Sequence, residues 1–79
     1  MNMEKQLMEI LTELRPDVDF ENATALIDDG ILDSFDLVSL MGEIADTFGV
    51  EISFDDMEPE NFNSVKAMVE MIQKLENEV

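Results

Sequence analysis

No cysteine and no histidine occur anywhere in these 79 residues. Disulfides, thiolate or imidazole metal sites, and Ser-His or Cys-His nucleophile pairs are thereby excluded. The chain has to be held without disulfide or thiolate-metal staples. Its length allows one domain, residues 1–79, because a chain this short buries only about 60% of the surface its unfolded form exposes. A net stability of a few kcal/mol is the expectation. Disorder is not expected, since 46% of the residues are hydrophobic, well above what a charged coil contains.

The apolar residues are spaced for helices. Met3, Leu7, Ile10, Leu11 and Leu14 form one stripe, with Glu4, Glu9 and Glu13 off it, which predicts an amphipathic helix over Met3–Leu14. Pro16 stops it, because the residue before a proline is pushed out of the helical region. A long connection follows from Asp17 to Asp33, and its Phe20, Leu26, Ile27, Ile31 and Leu32 are expected to pin it across the helices. Long loops of this kind are often functional.

A second helix is predicted over Ser34–Phe48. Asp33 or Ser34 supplies the N-cap oxygen, and Gly49 sits where a left-handed C-cap is expected. Phe35, Leu37, Val38, Leu40, Met41, Ile44, Ala45 and Phe48 cover most of its circumference, so a central helix touched on several sides is expected. Asp36, Ser39, Glu43 and Asp46 leave one narrow polar stripe. Gly42 lowers helix propensity by about 1 kcal/mol, which a close approach of another surface would explain. Val50, Ile52 and Phe54 alternate as a strand would, but nothing else could pair with them and a lone strand is not viable. An extended link into a helical turn near Phe54–Met57 is expected instead, then a second turn over Pro59–Phe62. The last helix starts at Asn63 or Ser64 as N-cap and runs to about Leu75, burying Val65, Met68, Val69, Ile72 and Leu75. The fold class is all-α: a small bundle of three main helices plus a short one, with a long loop between the first two.

Charge narrows the partners. Twenty acidic residues against four basic ones give −16, which argues against nucleic acid and anionic membrane and favours basic protein surfaces. No apolar run approaches the roughly 18 residues a membrane span needs, and residues 1–14 do not look like a signal peptide. A cytoplasmic monomer without membrane insertion is expected. A calcium loop starting at Asp17 finds Asp19 and Glu21 but has Asn22 where glycine is required and Asp28 where a bidentate glutamate belongs. A start at Asp28 fails at Gly30, so no metal site is expected, and the seven methionines read as adaptable core filler. No carboxylate pair is marked out for acid–base work, so no catalytic residue is assigned.

Chemistry concentrates at Ser34, at the junction between the long loop and the second helix. First-turn amides and the helix dipole favour an anion there. Asp33-Ser34-Phe35-Asp36, approached through Leu26-Ile27-Asp28-Asp29-Gly30-Ile31-Leu32, closely resembles the phosphopantetheine attachment site of acyl carrier proteins. The usual form in that family is Asp-Ser-Leu, and Phe35 departs from it. Asp-Ser-Phe looks more like the stand-alone D-alanyl carrier proteins, which work with amino-acid-activating ligases. The resemblance extends through Phe48-Gly49-Val50-Glu51-Ile52-Ser53 and Pro59-Glu60-Asn61-Phe62-Asn63-Ser64-Val65, so it covers essentially the whole chain.

The resemblance implies a non-catalytic carrier. A phosphopantetheinyl transferase would place the 4′-phosphopantetheine of coenzyme A on Ser34, and the thiol of that arm would hold an acyl or aminoacyl group as a thioester. An activating ligase and an acyltransferase with basic docking surfaces are the implied further partners. Their docking face would be Asp33, Phe35, Asp36, Glu43 and Asp46, with Met41 more at home in the core. Ser39 stands where a fatty-acid carrier would have a carboxylate. The alternative is an unmodified acidic helical interaction domain, an adaptor or inhibitor, in which Ser34 is only a helix cap.

Charge alone yields one prediction. Self-repulsion at −16 should be screened by salt, so the melting temperature rises from low to physiological ionic strength. A flat response would show that the charge is less concentrated than its sum implies.

Overall fold

The computed structural model describes residues 2–77. Four α-helices follow in order: α1 Met3–Leu14, α2 Ser34–Phe48, α3 Pro59–Phe62 and α4 Val65–Asn77, with a 3-10 turn at Phe54–Asp56 before α3. No strand occurs among the described residues, and the Val50–Phe54 stretch is the extended link and helical turn expected of it. The chain ends of the helices follow local chemistry. Asn2 caps α1 by accepting from the Glu4 amide at 2.9 Å. Arg15 leaves the helical region at φ −140°, ψ 85°, as a residue before proline must. Gly49 closes α2 in the left-handed region at φ 66°, ψ 30°, where a Cβ would be strained. Ser64, not Asn63, caps α4, its hydroxyl accepting from the Ala67 amide at 3.1 Å.

α1 is the hub. It packs against both α2 and α4, while α3 packs against α4. Leu7 and Leu11 of α1, Leu40 and Ile44 of α2, Phe62 of α3 and Met68 and Ile72 of α4 are all fully buried. Each such side chain contributes roughly 1.5–3 kcal/mol on leaving water. Met71 joins this core at 5% exposure, although its position lies off the predicted stripe. α4 packs against both α1 and α3, and two neighbours widen the face it buries.

The expectation of a central α2 is corrected. Only Asp36, Leu40 and Ile44 of that helix are buried, a single line at spacings of four. Phe35 is 83% exposed and Val38 62%. The apolar surface of α2 exceeds what its main partner α1 and the core cover, and the excess at Phe35 and Val38 faces solvent. Gly42 is exposed with nothing within 4 Å of where a Cβ would stand, so the expected close approach is absent and nothing in the structure explains this glycine.

The long loop is ordered by burial and by one polar clamp. Phe20, Leu26 and Leu32 are sunk into the core. Asn63 then holds the loop from the α3–α4 junction. Its Oδ1 accepts from the amides of Ile27 (3.0 Å) and Asp28 (3.1 Å), its Nδ2 donates to Asp28 Oδ2 (3.1 Å), and its carbonyl accepts from the Leu26 amide (2.9 Å). Gly30, at φ 71°, turns the chain toward Asp33. The loop that leads to Ser34 is thus tied to the α3–α4 junction.

Asn63→Ala removes three side-chain hydrogen bonds and leaves two loop amides without their acceptor. A loss of about 1–3 kcal/mol is expected, read as a lower urea midpoint at unchanged slope. A wild-type midpoint would show that water replaces the clamp without cost.

Candidate functional site

The turn Asp33–Asp36 is built from both of its carboxylates. Asp33 is the N-cap of α2: its Oδ1 accepts from the Asp36 amide at 2.9 Å, and Asp36 Oδ2 accepts from the Asp33 amide at 3.2 Å. This reciprocal box satisfies two donors that a helix start otherwise leaves open. The same Asp36 Oδ2 accepts from Arg15 Nε at 3.1 Å and Nη2 at 2.6 Å. Arg15 Nη2 lies 4.0 Å from Asp33 Oδ2. One guanidinium at the C-terminal end of α1 therefore secures the first turn of α2.

The electrostatics follow from this geometry. The Arg15 hydrogen bond holds the Asp36 carboxyl below its ordinary 3.8, against the opposing effect of burial, with the Asp33 amide assisting. The Asp36 side chain is 12% exposed, so its charge belongs to the fold and not to the surface. This corrects the expectation that Asp36 extends the polar stripe of α2 and offers a docking carboxylate. Positions 36, 40 and 44 share one helical line, and Leu40 and Ile44 on it are core. A carboxylate in that register requires a cation, and the one arginine of the chain supplies it. The register and the solitary arginine were the available signals for Arg15.

Ser34 is the first residue of α2 and is exposed. Because Asp33 does the capping, the Ser34 hydroxyl has no capping duty. The amides of Ser34 and Phe35 lead the helix, where an anion is favoured by both open donors and the dipole. An exposed hydroxyl at such a helix start fits a phosphodiester. Phe35 stands beside it in the same turn, also exposed. Glu43 and Asp46 are exposed farther along α2, about 14 and 18 Å from Ser34 at 1.5 Å per residue. Glu43 flanks a shallow groove with Ser39, Ile10, Glu13 and Leu14 at the α1–α2 seam. Met41 is partly buried against the core. Asp33, Ser34 and Phe35 are therefore brought together, Glu43 and Asp46 share their helix, and Asp36 is withdrawn.

A small helical domain with a spare serine at a loop–helix junction is the arrangement of a carrier on which a prosthetic arm is mounted. The sequence pattern of the phosphopantetheine attachment site family matches residues 5–72, and the chain belongs to that family. It is a non-catalytic carrier protein whose prosthetic group is covalent 4′-phosphopantetheine. It is similar to the D-alanyl carrier protein of Lactobacillus delbrueckii subsp. bulgaricus, 27% identical over 79 residues, which span 99% of each chain. It is also similar to the D-alanyl carrier protein of Staphylococcus xylosus, 29% identical over 83 aligned positions covering 95% of this chain and 99% of the other. No described helix is long and apolar enough to cross a membrane.

The depressed Asp36 carboxyl has a pH consequence with a definite sign. A carboxyl whose folded value lies below its unfolded one stabilises the fold above the unfolded value, and that contribution disappears as pH falls through the folded value. Wild type should therefore lose stability on acidification below the ordinary aspartate range more steeply than Asp36→Asn. Denaturant midpoints at neutral pH and at stepped lower pH compare the two slopes, and equal slopes would show that the Arg15 pair contributes nothing to acid sensitivity.

Proposed function

We propose that Ser34 carries the 4′-phosphopantetheine arm and that the cargo is an aminoacyl group, D-alanyl in the first instance. One observation carries the site: the capping role at this helix start belongs to Asp33, so an exposed serine stands next to it with no structural task. The cargo reading rests on the whole-length similarity to carriers named for D-alanine and on the Asp-Ser-Phe form of the motif. When bound, the arm supplies a thiol that holds the cargo as a thioester. The chain itself brings no cysteine that would compete.

The residues around Ser34 then act by orientation and recognition. Asp33 fixes the turn. Phe35 and Val38, three positions apart and both exposed, present apolar surface one turn along α2. Glu43 and Asp46 extend the face with charge, and together with Asp33 they steer basic partners. Those partners are a phosphopantetheinyl transferase, an adenylating ligase and an acyltransferase. Asp36 acts on this face only through the turn it helps to hold. A cytoplasmic monomer suits the role, since copies carrying −16 repel one another.

Intact mass after incubation with coenzyme A, magnesium and a broad-specificity phosphopantetheinyl transferase tests the site. One added phosphopantetheine on the wild type and none on Ser34→Ala is the expected result. A folded wild type left unmodified by a demonstrably active transferase would return Ser34 to an ordinary helix-start residue and favour an unmodified interaction domain. Loading of the modified protein by an adenylating ligase with D-alanine rather than with fatty acid checks the cargo.

A further inference from the structure

We infer that Arg15 is a positioning residue for the modification of Ser34. The inference rests on the reading that Ser34 is the attachment residue. Its basis is the fork geometry at the start of α2. Two guanidinium nitrogens converge on Asp36 Oδ2 at 3.1 and 2.6 Å, and that oxygen also accepts from the Asp33 amide at 3.2 Å. Three donors on one oxygen leave Asp36 little freedom. Through Asp36 the fork immobilises the residues on either side of Ser34, because the Asp36 amide in turn binds the Asp33 carboxylate. Within the loop, the burial of Leu32 and the 3.0 Å bond from its amide to the Leu26 carbonyl fix the approach as far as Leu32 and do not extend into the Asp33–Asp36 turn. The clamp made by Asn63 reaches only to Asp28, and between it and Ser34 lie Gly30 in the left-handed region and the half-buried Ile31.

The chemistry makes the restraint consequential. In the transfer, Ser34 Oγ forms a bond to the phosphorus that bears pantetheine in coenzyme A. The anhydride P–O bond to the other phosphorus breaks, 3′,5′-ADP departs with its bonding electron pair, and the hydroxyl proton passes to a base of the transferase. Such a displacement needs attacking and leaving oxygens in line. Small misplacements of the attacking atom are expensive, and a substitution remote from the chemistry can cost orders of magnitude in rate. A serine hydroxyl on the first residue of a helix inherits its direction from the turn, and Arg15 is the tie that sets the turn against α1. The guanidinium is 38% exposed and Asp33 62%, so the ion pair lies at the surface a transferase would cover without occupying the place of Ser34.

A planar fork, and not merely a positive charge, is what the geometry uses. Lysine would keep the charge and lose the two-point contact. The test is therefore the transferase reaction on wild type, Arg15→Ala and Arg15→Lys, each shown to be folded by circular dichroism at the assay temperature. Both variants are expected to lose about tenfold in kcat while KM for coenzyme A stays within about twofold, since coenzyme A binds the transferase. Amide exchange of Asp33 and Asp36, whose N–H groups are the two bonded within the turn, should be faster in both variants, and exchange at Leu7 and Leu11 unchanged. If Arg15→Ala does not fold, Arg15→Lys carries the comparison through the same two readings. Wild-type kcat in a folded Arg15→Lys would overturn the inference, as would a slowed reaction without faster exchange in the turn. A wild type that accepts no phosphopantetheine would overturn the assignment of Ser34 and this inference together. A modified wild type with indifferent Arg15 variants would overturn this inference alone.

Discussion

The apolar face of α1 carries the fold because, among the described residues, this helix packs extensively against both of the other long ones. Leu7 and Leu11, one turn apart and without exposure, lie between α2 and α4. Truncating either to alanine removes the transfer free energy and leaves a cavity bordered by two helices, together about 2–5 kcal/mol. In a domain with only a few kcal/mol in reserve, that is enough to unfold it. Everything else is arranged around this seam: the loop drapes over it through Phe20, Leu26 and Leu32, and α3 braces α4 from outside.

The end of that same helix determines how the functional turn is held. α1 stops where Pro16 forces it to, and the residue left at the stop is the arginine that reaches Asp36. A helix terminator and a site restraint are thus adjacent in sequence for a physical reason: the broken helix frees Arg15 to turn toward α2. The two carboxylates of the turn divide the work. Asp36 faces inward and is neutralised by the cation, whereas Asp33 caps the helix with one oxygen and keeps most of its surface in water. Elsewhere among the described residues no carboxylate is paired with a cation in this way. Glu60, through a shared hydrogen bond and then through its charge, raises the Glu58 carboxyl above its ordinary 4.5, with Asp55 and Asp56 adding to the repulsion.

The parts of this architecture readable from the sequence are those governed by neighbours in the chain. Pro16, Gly49 and the Asp33–Ser34 junction mark helix limits by backbone chemistry alone, and the absence of any partner for Val50–Phe54 was enough to dismiss a strand. The attachment motif could be read as a contiguous string. What escaped is non-local. Asp36 reads as part of a polar stripe until Arg15, 21 positions earlier, is seen beside it. Asn63 reads as a candidate helix cap, yet its side chain is engaged 35 and 36 positions away with Asp28 and Ile27. The hydrophobic residues of α2 gave no means of separating the buried Leu40 from the exposed Phe35 and Val38, because apolarity records what a helix is able to bury and not how many neighbours it has.

The division between a capping aspartate and an idle serine also makes this position unusually open to synthetic chemistry. A side chain that caps nothing and lies at the surface can be exchanged without disturbing the helix it begins. Since the protein contains no other thiol, cysteine at position 34 would be a unique nucleophile, ready for a maleimide, a fluorophore or a crosslinker of chosen length. Whatever was mounted there would sit where the arm proposed for Ser34 would begin, and a short reactive linker there would covalently capture an enzyme that docks on this turn.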